Sequence, residues 1–266
     1  MPVYVFALSQ VREVDGFSAI AVGFILHLLV YPSSNGYNSF MDRDDTPVGG
    51  LKKPLQPTKQ LYHVTLVMDV VAVSLSFIVS WFFALGIFIY ILASRAYSYR
   101  GIRLKKYPVT GFLTVFVLQG ALIYYIAFHA MSEGKPLVID PLPPIIASLL
   151  IGALYPLTQV YQHEADRKDG VTTISMLLGK KGSFVFSMIL FLTATFMMYI
   201  LMNSQGQQNF FYYFLLIMLP VVLFFLYWMY MVWKNELAAD FRNSMNMNIL
   251  ATACTTAFFI FLNLNR

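Results

Sequence analysis

Charge is what this chain has least of. Only 12% of its 266 residues are Asp, Glu, Lys or Arg, about half the roughly 25% usual in soluble domains. So few charges cannot cover a chain that is 58% hydrophobic, with a mean hydropathy of +0.65. Lipid must therefore be the solvent for most of its surface. Cysteine is nearly missing too. Cys254 stands alone inside an apolar run, which excludes an internal disulfide and reads as a small apolar residue. The start, MPVYVFALSQ, lacks the basic n-region and small-residue cleavage site of a secretory signal, and neither end carries a lipidation pattern. The net charge of +5 first suggests nucleic acid, but the basic residues sit in a few loops between apolar runs. Topology explains them, and no nucleic-acid partner is expected.

What is abundant is long apolar sequence. A bilayer core takes about 20 apolar residues per helix. Residues 3–8 are apolar but too short to span. Runs at 17–31, 111–131, 144–160, 182–202, 210–233 and 247–264 each read as one span. The run 61–93 is too long for one and must fold back near Ser80 and Trp81 as a hairpin almost without a loop. In lipid the backbone must satisfy its own hydrogen bonds, which favours helices. The expectation is an all-α, polytopic transmembrane helical bundle: eight full spans plus a short N-terminal apolar stub. It forms one domain over 1–266, with two pseudo-similar halves at roughly 1–107 and 108–266. Lys and Arg alternate accordingly. Fifteen lie in one set of connections and three (Arg12, Lys135, Arg266) in the other. By the positive-inside bias the richer side is cytoplasmic, and both acidic segments described next fall on it.

The first acidic segment, 35–54, reads NGYNSFMDRDDTPVGGLKKP. On a helix Asn38, Asp42 and Asp45 are spaced i, i+4, i+7 and share a face; Asp44 is less securely placed. The second, 161–173, reads YQHEADRKDGVTT and repeats that spacing with Gln162, Asp166 and Asp169. Gly170 suits a helix C-terminus. Converging carboxylates repel unless a hard cation joins them, and magnesium takes one or two carboxylates together with substrate phosphate. Lys52, Lys53, Arg103, Lys105, Arg167 and Lys168 lie on the same side, able to neutralise a phosphorylated anion. Carboxylates for a metal, cations for phosphate and an apolar interior for a hydrocarbon tail together point to a lipid diphosphate.

These residues carry a resemblance over essentially the whole chain. Asn38-Ser-Phe-Met-Asp42-Arg-Asp44-Asp45 resembles the NDxxDxxxD motif of the UbiA superfamily of intramembrane prenyltransferases. Tyr97-Ser98 followed by Arg103-Leu-Lys105 resembles its YSxxxxRLK segment, and Gln162-xxx-Asp166-xxx-Gly170 its DxxxDxxxG motif. Ser39 stands where that family often has Asp, Asp45 lies one position early, and Gln162 replaces an Asp. The family pattern of nine helices implies that the first is missing or truncated here. The resemblance implies transfer of a prenyl group from a prenyl diphosphate to a hydrophobic acceptor. That acceptor could be an aromatic ring, a quinone precursor, a tetrapyrrole or a glycerol-phosphate lipid; a cyclase-like reaction without one also belongs to the range. It implies Mg2+ held by Asp42, Asp45, Asp166 and Asn38. Asp42, Asp166, Lys105 and Tyr97 would be catalytic, and Asn38, Arg103, Lys53 and Lys168 would bind diphosphate.

Other readings concern single residues and whole classes. Asp69 lies inside a span, where an acid needs a cavity or a partner; the sequence leaves both open. His27 and His129 read as satisfied core histidines, and His163 could reach the diphosphate. A transporter would place acids at mid-membrane in both halves of a repeat, whereas these cluster at one interface. A non-catalytic assembly protein of the same fold would tolerate Gln162.

Overall fold

The computed structural model describes residues 2–47 and 50–265; Arg266, counted above among the basic residues, lies outside them. Ten α-helices carry the described chain. The N-terminal stub is itself a helix, α1 (Pro2–Gln10). Nine residues at 1.5 Å each cover about 14 Å, half a hydrocarbon core. It is nonetheless an interior wedge: Val5, Phe6 and Ala7 are buried, and Phe6 stacks on Phe259 at 4.3 Å.

Helix α2 (Gly16–Asp42) begins at an Asp15 cap, whose carboxylate accepts from the Ser18 N–H. It runs well past the expected end at 31. Its polar second half stays helical because it faces protein: Ser33 Oγ donates to the Thr65 carbonyl at 2.9 Å, and Ser34 meets Ser94 at 2.5 Å. Helices α3 (Lys59–Val79) and α4 (Trp81–Ser98) form the tight hairpin. Ser80 alone is extended (φ −167°, ψ 154°). Its hydroxyl accepts from the Phe83 N–H at 3.0 Å and meets His129 Nε2 at 3.1 Å.

Helix α5 (Pro108–Met131) contains a π-helical turn, Phe116–Leu122. Helix α6 (Leu142–Leu154) runs into a 3₁₀ turn, Tyr155–Thr158. This eighth apolar segment is shorter than the seven helices long and apolar enough to cross a membrane. After the short α7 (His163–Lys168) come α8 (Ile174–Ser204), α9 (Gln208–Lys234) and α10 (Phe241–Leu264). Gly179 breaks α8 with a φ of +69°, close to the expected start of a span at 182. Among the described residues there is no strand, only an isolated bridge between Val14 and Ser132.

The helices alternate in direction. Helices α2 to α5 pack as one group and α6, α8, α9 and α10 as the other, with α1 wedged against α5 and α10. Hydrogen bonds tie the segments together at the end holding Ser80. Asp15 N–H donates to the Met131 carbonyl at 2.9 Å, Glu133 N–H to the Glu13 carbonyl at 3.0 Å, and Gln205 to Gln10 at 2.9 Å.

The two groups approach most closely where α5 crosses α6. A π turn leaves one amide without its usual acceptor; here the Ala121 N–H donates to Ser148 Oγ at 2.9 Å. The crossing requires a glycine, because a Cβ on Gly120 would sit 2.7 Å from the Ser148 backbone nitrogen. Gly120→Ala should therefore force the helices apart and cost about 1–3 kcal/mol. Denaturation in detergent measures this, and an unchanged midpoint would show that the crossing has slack.

Candidate functional site

At the end opposite Ser80 two cavities share a wall. The smaller, about 230 Å³, is polar and lies among the ends of α2, α4, α6 and α7. The larger, about 660 Å³, is apolar and reaches down between α6, α8, α9, α10 and α1. Asn35, Asn38, Tyr97, Gln119, Tyr155, Gln159 and Gln162 line both. Thr46 and Pro47, in the segment after α2, line the polar pocket, and Gly50 lines the chamber.

Helix α2 delivers Asn38 and Asp42, one turn apart. Asn38 Oδ1 accepts from Ser98 Oγ at 2.8 Å, fixing the amide at the end of α4. Asp42 is nearly inaccessible, with a side chain 6% exposed. It pairs with Lys105, and with Arg103 at 3.6 Å. The helix stops at once, because Arg43 is left-handed (φ 56°). The i+7 geometry expected for Asp45 is thereby lost. Asp45 is exposed and does not line the pocket, and Asp44 turns in instead.

The segment after α4 delivers the cations. Arg103 takes a left-handed backbone (φ 53°), unfavourable by roughly 1 kcal/mol for a non-glycine residue. That places its buried guanidinium against Asp169 as well as Asp42. Arg100 adds a 3.4 Å contact to Asp169 and donates to the Met41 carbonyl at 2.8 Å. Lys105 lines the pocket, whereas Arg103 stands behind it. Lys53 and Lys168 are exposed, outside the pocket. Lys53 lies on the long connection before α3, and Lys168 faces away from Asp166 on the short α7. Tyr97, in the last turn of α4, meets the Tyr155 hydroxyl at 2.5 Å.

Helix α7 delivers Asp166, and Gly170 (φ +68°) reverses the chain behind it. The Val171 N–H returns to the Asp166 carbonyl at 2.9 Å, and the Thr172 N–H binds the Lys106 carbonyl at 3.3 Å. The second acidic segment is thus tied to the cation-bearing one. Gln162 donates to the Tyr161 hydroxyl at 2.8 Å. His163 turns away to Ser175 Oγ at 2.8 Å. Burial first, then Lys180 and Arg167, hold its pKa down to about 4, so it is neutral at pH 7.

Electrostatics single out Asp166. Burial pushes its pKa up to about 7, against the pull of Lys105 and with help from Asp44, Asp42 and Asp169. Asp44 is raised for the same reasons, burial first. Asp42 Oδ1 and Asp166 Oδ2 are both buried without a hydrogen-bond partner. Unsatisfied carboxylate oxygens beside further acids are what a hard cation relieves. Among the described residues no three His, Cys, Asp or Glu side chains gather into a complete metal site. Magnesium takes few protein ligands, because it completes its shell with water and phosphate. Asp42 and Asp166, with the carbonyl oxygens of Asn38 and Gln162 nearby, fit such an ion.

Outside the pocket, Asp69 finds a partner. Arg95 donates to it, with Nε at 2.8 Å, and also to Ser33 Oγ at 3.0 Å. The guanidinium lies 3.9 Å from the Tyr37 ring. This network joins α2, α3 and α4 and is structural. His129 is satisfied by Ser80 and by the Pro136 carbonyl. Gln119, Tyr155 and Gln159 escaped the sequence reading. Gln119, a lone amide inside an apolar span that also holds Gly120, was the readable signal.

The fold is similar to a UbiA homologue from Aeropyrum pernix K1 in its apo form (TM-score 0.72, 16% identity, covering 98% of this chain and 94% of that one). It is similar to digeranylgeranylglyceryl phosphate synthase (0.65, 19%, 98% and 91%). It is also similar to a UbiA homologue from Archaeoglobus fulgidus bound to DMAPP and Mg2+ (0.63, 16%, 100% and 94%). A comparison with functionally curated proteins returns no match. The sequence model of the UbiA prenyltransferase family matches residues 1–250. With seven long apolar helices among its described residues, the chain is an integral membrane protein and belongs to the UbiA prenyltransferase family.

Proposed function

We propose that the protein transfers a prenyl group from a prenyl diphosphate to a hydrophobic acceptor, with magnesium in the polar pocket. The observation that carries this is the shared wall: a pocket lined by Asp42, Asp44, Lys105 and Asp166 adjoins an apolar chamber that no charged side chain lines among the described residues. A diphosphate fits the first and its hydrocarbon tail the second, so the allylic carbon–oxygen bond lies at Asn38, Tyr97 and Gln162. Related folds have been seen with DMAPP and Mg2+ and with GPP and Mg2+.

Asp42 and Asp166, with Asn38 and Gln162, would hold magnesium, which when bound neutralises diphosphate oxygens. Lys105 lines the pocket and offers its ammonium to the leaving group. Arg103 acts through its neighbours, holding Asp42 and Asp169 in place. As the carbon–oxygen bond breaks, its electron pair leaves with diphosphate. The acceptor's nucleophilic atom bonds to the allylic carbon, and the departing diphosphate takes the acceptor's proton. The apolar chamber keeps water from the carbocation. The Tyr97–Tyr155 pair sits at the wall where that charge develops, offering ring faces and oriented hydroxyl dipoles. The basic-rich connections lie at the pocket end of the bundle, so that end faces the cytoplasm.

The transport reading loses ground because Asp69 is neutralised by Arg95. The test is to incubate membranes containing the protein with labelled prenyl diphosphates and Mg2+. Expected are released diphosphate and a prenylated, lipid-soluble product identified by mass spectrometry. No prenyl diphosphate binding or turnover would return the protein to the assembly reading.

A further inference from the structure

We infer that the acceptor is an uncharged molecule carrying a hydroxyl or carbonyl group, held in the apolar chamber by Gln159, Ser187 and Asn248. This rests on the prenyl-transfer reading and adds the class of the second substrate.

Three observations lead there. First, among the described residues no Asp, Glu, Lys, Arg or His lines the large chamber. A carboxylate or phosphate on the acceptor would lose its hydration there without meeting a counter-charge, and such a transfer is prohibitive. The cations of the site, Lys105 and Arg103, stand on the polar side of the shared wall, facing Asp42 and Asp169 and, on the prenyl-transfer reading, the diphosphate. Second, the chamber has polar atoms awaiting a partner. Gln159 Oε1 and Ser187 Oγ are buried without a hydrogen bond, in residues only 7% and 2% exposed. Leaving such atoms unpaired is unfavourable, and a ligand bonding to them relieves that.

Third, α10 turns a polar stripe into the chamber. Ser244, Asn248, Thr252 and Thr255 share one face at i, i+4, i+8 and i+11, and all four line the cavity. Ser244 Oγ donates to the Leu157 carbonyl at 2.9 Å, so the stripe starts beside the turn that carries Tyr155 and leads to Gln159, next to the reacting bond. Thr252 Oγ1 donates to Asn248 Oδ1 at 3.3 Å. That contact orients the amide and leaves its N–H donors for a ligand. An acceptor at Gln159 and a donor at Asn248 match a hydroxyl, or a hydroxyl beside a carbonyl, as in phenols, quinols and alcohols. The bond formed and the groups lost are those given above.

The test uses purified protein with geranyl diphosphate, Mg2+ and matched acceptor pairs. The pairs are methyl 4-hydroxybenzoate against 4-hydroxybenzoate, methyl 1-hydroxy-2-naphthoate against its acid, and hexadecanol against hexadecyl phosphate. The neutral member of any reacting pair should have a kcat/KM at least about 30-fold higher. Neutral members alone should raise the unfolding temperature of the protein in the absence of Mg2+. Asn248→Leu, which suits an apolar helix, and Ser187→Ala should each raise the acceptor KM about tenfold while kcat changes less than twofold. Equal or better use of a charged member overturns the inference. So does an unchanged acceptor KM in both variants, or diphosphate release with no alkylated product from any neutral acceptor. Failure of the wild type to release diphosphate at all would instead remove the prenyl-transfer reading beneath it.

Discussion

Asp42→Ala should lower Mg2+-dependent diphosphate release by on the order of a thousandfold, and Asp166→Ala by a similar factor. The scale is that of losing one preorganised group at a developing charge. The two residues reach the pocket from different helices, and each has a buried oxygen without a hydrogen-bond partner. Asp42 also anchors Lys105 and Arg103, so its removal frees two cations to collapse onto Asp169 and Asp166. Asp42→Asn keeps the shape and removes the charge. It should behave like the alanine variant in activity while unfolding close to wild type, which separates metal binding from folding. Release of diphosphate is followed with a coupled phosphate assay at saturating prenyl diphosphate. Full activity in both alanine variants would place the metal elsewhere.

The largest effect on stability is expected away from the pocket. Asp69→Ala should cost about 3 kcal/mol, because it leaves the Arg95 guanidinium buried without its anion. The two side chains are 13% and 16% exposed, in the interior of a chain surrounded by lipid. Replacing both partners with apolar groups, Asp69→Leu with Arg95→Met, should recover most of the loss. Denaturation in mixed micelles reads both variants. An Asp69→Ala protein as stable as wild type would mean that Ser33 and the Thr65 carbonyl alone satisfy Arg95.

Most of the architecture was legible because lipid imposes length and hydropathy on every span. The hairpin at Ser80 followed from a run too long for one crossing. What periodicity could not show was where a helix stops. Asp45 looked equivalent to Asp169 at i+7, but the left-handed Arg43 ends α2 and hands the pocket to Asp44. Nor could spacing tell which cations point inward: Lys105 and Lys53 are both lysines near the acids, and only one reaches the pocket. Asp69 was recognisable as needing a partner. Which partner was hidden, since Arg95 follows the hairpin turn by a different distance and reaches back along its long side chain. The polar stripe of α10 was present in the letters at i, i+4, i+8 and i+11. An apolar helix with such a stripe can face a cavity or a neighbouring helix, and only packing decides between them.

At the Ser80 end the chain is laced together, with Val14 bridged to Ser132 and Gln205 bound to Gln10, and the charged residues that line the polar pocket stand at the opposite end. On the proposed reading, diphosphate arrives as part of an ester and departs as a free anion through that same face. No net charge crosses the field of the bilayer, so turnover neither draws on nor works against the membrane potential, which is worth about 2.3 kcal/mol per charge at 100 mV.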